Sequence, residues 1–242
     1  NKIFINVLTP TVIERTGDQD LERREWYLVI SNHQTWVDVI ALQYAFNRRV
    51  PFFKFFIKQQ LIWVPFLGLA WWALDMPFMR RYSKSFLAKN PHMKGKDLET
   101  TRKACEKFQD VPTSVINFVE GTRANPDKIQ RRNSPYRYLL RPRSGGVAFA
   151  VGAMGDIMHK MLDVTVFYPD PSFTFWDLCC GKMTHVEIHT QVREIPDWVL
   201  AGNYADNIEF RQRFHNWMGA IWTEKDERLH ELHVRAGKEN SS

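Results

Sequence analysis

Apolar residues in this chain come in short blocks separated by polar breaks. Trp26-Tyr27-Leu28-Val29-Ile30 is an unbroken apolar run closed by Ser31, and it predicts a strand over 26–31. Val37-Asp38-Val39-Ile40-Ala41-Leu42 then predicts a helix that ends near Asn47-Arg48-Arg49. Pro51 opens a second unit. Phe52 to Ile57 reads as a buried strand, 58–68 as a helix broken by Pro65 and Gly68, and Met76 to Met79 as a strand ending on Arg80-Arg81. A polar linker over 82–96 crosses to an amphipathic helix at 97–109.

Ser114 to Val119 gives the clearest strand signal and runs directly into Glu120-Gly121-Thr122-Arg123. Residues 125–143 show no period and carry Arg131, Arg132, Arg137, Arg141 and Arg143, the pattern of a solvated loop. Beyond them lie a helix at 146–159 and a strand at 164–168 stopped by Pro169. A short helix near 174–180, an alternating strand at 185–193 and a charged helix near 206–234 complete the pattern. Residues 1–13 read as the tail of a preceding element or as a first strand, and Gly17 to Arg24 as a charged turn.

Strands and helices thus alternate over the whole length, with no internal repeat and no Gly/Ser linker. That predicts an α/β fold, a mainly parallel central sheet flanked by helices, as a single domain over 1–242. Sheets of this kind bind ligands beyond the carboxyl ends of their strands. Three predicted strand ends carry groups capable of chemistry: Asn32-His33, Arg80-Arg81, and Glu120 to Arg123.

Composition narrows the partners. The formal charge is +6, and 14% of residues are aromatic, including 9 Trp and 17 Phe. A basic, aromatic-rich chain suits an anionic surface, either membrane headgroups or nucleic acid. The arginines cluster in one loop without interleaved stacking platforms, which argues against nucleic acid. Three cysteines, Cys105 and the adjacent Cys179-Cys180, offer neither metal-ligand spacing nor a disulfide framework, so reduced, buried thiols are expected. No run of 18 apolar residues exists; the nearest, Leu61 to Leu74, is too short to span a bilayer. It suits a buried helix or one dipping into the interface. The chain begins at Asn1 rather than Met, as expected of a fragment that lacks its true start.

The candidate chemistry centres on His33 and Asp38, five residues apart. On a regular helix that spacing points the two side chains to different faces, so they meet only if His33 precedes the first turn and Asp38 lies within it. Asp38 would then fix one ring nitrogen and leave the other as a base. The plainer alternative has Ser31 or Asn32 capping the helix and Asp38 in water. The spacing alone is common by chance, and it recurs at His92 and Asp97, among lysines and with no strand ahead.

Taken together these segments resemble the glycerolipid acyltransferases of the PlsC type. Asn32-His33-x4-Asp38 resembles their first motif and Glu120-Gly121-Thr122-Arg123 their third. Lys58, Leu61, Pro65 and Gly68 followed by Arg80-Arg81 resemble the second, and Val164 to Pro169 the fourth. The order is the family's, and the texture of 58–81 and of 138–143 looks closest to a bacterial YihG-like branch. Val119 replaces the usual Pro before the third-motif Glu, and Asp75-Met76-Pro77 stands where a Gly is usual, which leaves Arg80 and Arg81 as alternatives; Arg81 is preferred.

The resemblance implies transfer of a fatty acyl group from acyl-CoA or acyl-carrier protein to a lysophospholipid hydroxyl, most simply that of 1-acyl-sn-glycerol 3-phosphate. His33 and Asp38 would be catalytic. Arg81, Glu120, Gly121, Thr122 and Arg123 would form the acceptor-phosphate site, with Glu120 as its organiser. Lys58, Leu61, Pro65 and Gly68 would serve the acyl or donor site. No cofactor and no metal is implied. The family also implies a membrane-embedded helical segment ahead of Asn1 and work at the cytoplasmic face of a bacterial inner membrane. The chain has no Gly-x-Ser-x-Gly elbow, which counts against a serine hydrolase. A non-catalytic lipid-binding membrane protein would share the aromatic and basic texture but would have no use for a His–Asp pair.

Overall fold

A computed structural model describes residues 9–18, 20–79, 96–170 and 172–239. Its centre is a six-stranded sheet in the order β1-β8-β7-β2-β6-β3. The strands are β1 (Val12–Gly17), β2 (Tyr27–Ser31), β3 (Phe53–Phe55), β6 (Ser114–Phe118), β7 (Lys160–Phe167) and β8 (His185–Glu194). Every pairing is parallel except β7 with β8. Because β2, β6 and β7 run together, Ser31 stands level with Phe118 on one side and Val164 on the other. Their carboxyl ends therefore open on one rim.

The run Tyr27-Leu28-Val29-Ile30 is apolar at every position because both faces of β2 are covered. Leu28 and Ile30 pack with helices α5 (Gly145–Met154) and α8 (Ile208–Glu239), through Val147, Val151, Met218 and Trp222. Tyr27 and Val29 pack with α1 (Val37–Ala45), through Val37, Ala41 and Leu42. The two-residue alternation of a strand sorts its side chains into these two cores. Such a residue contributes about 1.5–3 kcal/mol by leaving water.

Expected boundaries held for most elements, and three readings need correction. β1 lies at 12–17, reaching into what reads as a turn, because an edge strand can be polar on both faces. Residues 1–8 lie outside the described residues. The stretch 125–143 is not a solvated loop: it opens with helix α4 (Pro126–Arg131), capped by Asn125, which accepts from the Lys128 N–H at 2.8 Å. Leu139 and Leu140 are then fully buried, and the Leu140 carbonyl accepts from the Trp222 indole at 3.0 Å. Asp226 accepts from the N–H groups of Arg137 and Tyr138 at 3.0 and 2.9 Å. The partners come from α8, too distant in sequence for local periodicity to register. Of the thiols, only Cys105 is buried; Cys179 and Cys180 close the short surface helix α6 (Phe175–Cys179), which buries Leu178 alone.

Residues 57–79 stand apart as a lateral unit. β4 (Ile57–Lys58) pairs in parallel with β5 (Phe78–Met79) in a ladder of its own. Between them run a 3-10 turn at Gln59–Trp63 and helix α2 (Leu67–Ala73); the break falls at Pro65 as expected, but Gly68 lies inside the helix rather than interrupting one over 58–68. Gly68 is required here, since a Cβ would lie 1.9 Å from the Ile62 carbonyl oxygen. The unit is apolar yet open: Trp63 is 85% exposed and Phe66 90%, with Leu69, Trp72 and Leu74 also exposed. Phe66 holds a left-handed φ of 60°, a strained state for a bulky residue.

Candidate active site

The rim is fixed by a brace between two strands far apart in sequence. The Asn32 amide donates to the Val166 carbonyl and accepts from the Val166 N–H, both at 2.8 Å. This ties the end of β2 to β7 and delivers His33 to the mouth of the sheet. The backbone turns over Gln34 and Thr35 before α1 begins, and Asp38 sits in the first turn. His33 Nδ1 lies 2.7 Å from Asp38 Oδ2. The same oxygen accepts from the N–H groups of Gln34 and Thr35 at 2.7 and 3.1 Å. The Tyr168 hydroxyl donates to Oδ1 at 2.7 Å.

Asp38 is thus wholly buried and accepts four hydrogen bonds. The capping alternative fails: α1 has no side-chain cap bond, and the carboxylate is nowhere near open water. Since Asp38 can only accept, Nδ1 carries the proton and Nε2 is left as the basic nitrogen. The ring is stacked on Phe118, centroids 4.2 Å apart, and its side chain is 16% exposed. Burial and the charge and hydrogen bond of Asp38 push the Tyr168 hydroxyl well above its ordinary range, so it stays a donor.

After β6 the chain turns over Glu120. Its side chain is fully buried, and burial drives its carboxyl up to about 8, so it is neutral at pH 7. The charge of Asp38 pushes the same way, while the N–H groups of His33 and Leu140 and the charge of Lys225 pull against it. Neither N–H meets a carboxyl oxygen in good hydrogen-bond geometry, and both oxygens lack a partner among the described residues. Gly121 holds a φ of +67°, with space for a Cβ already taken by Arg143 Cδ at 3.0 Å. The Lys128 ammonium ties the loop down, donating to the Arg123 carbonyl at 2.8 Å and to Thr122 Oγ1 at 3.3 Å.

Arg123 is exposed, its guanidinium 5.0 Å from the centre of the Trp36 ring. It borders a groove of about 860 Å³ that begins at Gln34 and Thr35, beside the dyad. Lys128, Phe173 and Trp176 line the rest. A cation held over an aromatic plane, with apolar walls beyond, is suited to a phosphorylated amphiphile.

The structure therefore brings together His33, Asp38, Gly121, Thr122 and Arg123, with Glu120 packed beneath them. Arg80, Arg81 and His92 lie outside the described residues. Lys58, Leu61, Pro65 and Gly68 fall in the lateral unit, which hangs from the edge beyond β3 rather than in the central sheet. Tyr168 was visible only as the end of a strand, and nothing local marks it as a partner of Asp38. Lys225 gave no signal either. Buried on α8, it donates to the Val164 carbonyl at 2.6 Å and to Thr165 Oγ1 at 3.2 Å, and faces Asp163 at 2.5 Å. Burial lowers the ammonium's affinity for the proton and Asp163 raises it, while Arg193, which also donates to Asp163, pushes with burial. Among the described residues Glu14, His185 and Glu187 bring ligand atoms within 4.8 Å on β1 and β8. Glu187 is already engaged by Arg235 and Thr16, which reads as an ion-pair group.

The chain belongs to the acyltransferase family, whose model matches residues 12–168. It is 24% identical over 241 residues to an uncharacterized acyltransferase of Schizosaccharomyces pombe, covering 91% of this chain and 63% of that one. It is 24% identical over 217 residues to the mouse 1-acyl-sn-glycerol-3-phosphate acyltransferase delta, covering 84% and 52%. The chain thus spans between half and two thirds of the curated relatives it matches. The crystal structure of PlsC, the 1-acyl-sn-glycerophosphate acyltransferase of Thermotoga maritima, superposes with a TM-score of 0.50 at 16% identity. That match covers 92% of this chain and 72% of that one, and bears out the fold expected from the sequence.

Proposed function

We propose that the protein moves a fatty acyl group from a thioester donor, acyl-CoA or acyl-carrier protein, to the free hydroxyl of a lysophospholipid. The acceptor we favour is 1-acyl-sn-glycerol 3-phosphate, giving phosphatidic acid. One observation carries the reading: His33 Nδ1 is committed to a buried Asp38 that has no freedom to move. In the proposed reaction, Nε2 takes the acceptor hydroxyl proton as that oxygen attacks the thioester carbonyl. The C–S bond breaks, the ester forms, and the leaving thiolate recovers the proton from the imidazolium. Asp38 keeps the tautomer and stabilises the imidazolium while it lasts. No covalent intermediate with the enzyme is involved.

Arg123, with Arg81, would hold the acceptor phosphate, on a loop that Gly121 and Thr122 shape and buried Glu120 organises. Lys58, Leu61, Pro65 and Gly68 would serve the acyl or donor end, and the exposed side chains of 61–74 would rest on the bilayer. The anionic headgroups of that bilayer are the expected surface partner. Among the described residues no helix is long and apolar enough to cross it. The texture of 58–81 and 138–143 supports a YihG-like branch, and the family resemblance supports work at the cytoplasmic face of a bacterial inner membrane. Labelled acyl-CoA offered to a panel of lysophospholipids is the test. Product from wild type and none from His33→Ala supports the reading; binding of lipid without turnover would favour a non-catalytic lipid binder.

A further inference from the structure

A second cavity lies at the opposite end of the sheet from His33. It occupies about 520 Å³ where β3 and β6 begin and α1 ends. Its floor is apolar, formed by the buried Phe46, Val50 and Phe53. Arg23, Arg24 and Arg48 stand round it. The acids nearest in sequence are drawn elsewhere: Glu25 and Glu22 pair with Lys160 at 2.8 and 3.7 Å. None of the three arginines pairs with a carboxylate among the described residues. Arg48 also holds a left-handed φ of 61°, a conformation that favours Gly or Asn, so an arginine there is kept against a backbone cost.

Three unpaired guanidiniums over an apolar floor suit a ligand with a phosphate at one end and hydrocarbon at the other. Phe52, on the wall, is half-exposed and leads outward. Lys54 sits 5.8 Å from the Phe52 ring and donates to the Leu74 carbonyl, at the end of the exposed apolar unit. The Leu74 end of that unit thus lies within reach of the side chain that neighbours Phe52. We propose that it is a binding site for the headgroup of an anionic phospholipid, separate from the catalytic groove, which seats the protein on acidic membrane. The occupant is the lipid rather than a soluble phosphate because the arginines stand over an apolar floor of Phe46, Val50 and Phe53, which a soluble phosphate would leave uncovered. The proposal rests on the membrane surface given above as a partner, and its test needs no turnover.

Flotation of the protein with neutral phosphatidylcholine vesicles, and with vesicles containing phosphatidic acid, tests it. The variant Arg23→Gln, Arg24→Gln, Arg48→Asn removes the charge and places at 48 a residue that accepts the left-handed turn. Its charge-matched control is Arg131→Gln, Arg132→Gln, Arg141→Gln, on the exposed arginines of 125–143. The cavity variant should lose about tenfold or more of its partition onto acidic vesicles. It should match wild type on neutral vesicles and in turnover of detergent-dispersed substrate; the control should lose about twofold or less. Equal losses from the two variants would overturn the site in favour of diffuse charge. Displacement of wild type from acidic vesicles by millimolar coenzyme A would overturn it in favour of a soluble phosphorylated ligand. Should His33→Ala still turn over, the catalytic reading fails while this binding result stands.

Discussion

The rim that carries His33 and the unit that carries Trp63 invert each other's use of polarity. At the rim polar groups are buried and almost all are satisfied: Asn32 by Val166, Asp38 by residues 33–35 and by Tyr168. In the lateral unit apolar groups are exposed, on a ladder of two residues per strand. Burying polar groups is tolerable only when each finds a partner, and once found those partners fix position. Exposed Trp and Phe side chains do nothing for a fold in water. The rim is determined from within the molecule; the lateral unit gains its stabilisation only when something covers it.

The largest test of that contrast is His33→Ala. Activity should fall by more than about a hundredfold, the low end of a general base's contribution, with the melting curve unchanged. Activity above a hundredth of wild type would end the assignment. Tyr168→Phe probes the rim one step out. It leaves Asp38 Oδ1 buried and unpaired, which should cost about 1–3 kcal/mol in denaturant unfolding and lower kcat with little change in KM. A raised KM at constant kcat would show that Tyr168 meets substrate instead.

Arg123→Lys keeps the charge but loses the planar fork. For an exposed site about 1.5 kcal/mol is expected, near tenfold in KM for the lysophospholipid. The donor KM should hold, and if only the donor KM moved, Arg123 would belong to the thioester site. Glu120→Gln tests the buried acid. Its folded value of about 8 lies above the ordinary 4.5. As pH rises through that window the unfolded chain gives up the proton and the folded chain keeps it, so wild type loses stability. The glutamine variant should gain on wild type by on the order of 1 kcal/mol or more between about pH 5 and 8, then level off. A constant difference across pH would refute a neutral Glu120.

The smallest effect belongs to the lateral unit. Trp63→Ser with Trp72→Ser should unfold within about 0.5 kcal/mol of wild type when no lipid is present. Val29→Ala, in the core beneath the rim, should by contrast cost about 2 kcal/mol or more. A large loss from the tryptophan pair would mean they hold the fold after all.

Sequence carried the fold far because β2 is apolar up to Ser31, and β6 and β7, though broken by Asn117, Asp163 and Thr165, carry apolar residues on both faces, as doubly covered strands do. It carried the dyad because His33 and Asp38 are close in the chain. It missed Tyr168 and Lys225, whose partners lie 130 and 61 residues away. It also misjudged 125–143, where five arginines masked Leu139 and Leu140. A charged neighbourhood says nothing about two leucines that a distant helix covers. The lateral unit read equally well as core or as surface, since an apolar run does not say which way it faces.

The Asn32–Val166 and Asp38–Tyr168 bonds bear on when the protein becomes active during its synthesis. Both join the first strand of the catalytic rim to residues made more than a hundred peptide bonds later. Contacts of such long range close late, after local helices have formed. A growing chain halted before Tyr168 emerges from the ribosome holds His33, Asp38 and the local N–H groups of Gln34 and Thr35, but lacks the Val166 brace and the Tyr168 bond to Oδ1. On the proposed reading, hydrolysis or misdirected transfer by unfinished chains is avoided without any inhibitor, because the base is fully braced only once β7 has paired with β2.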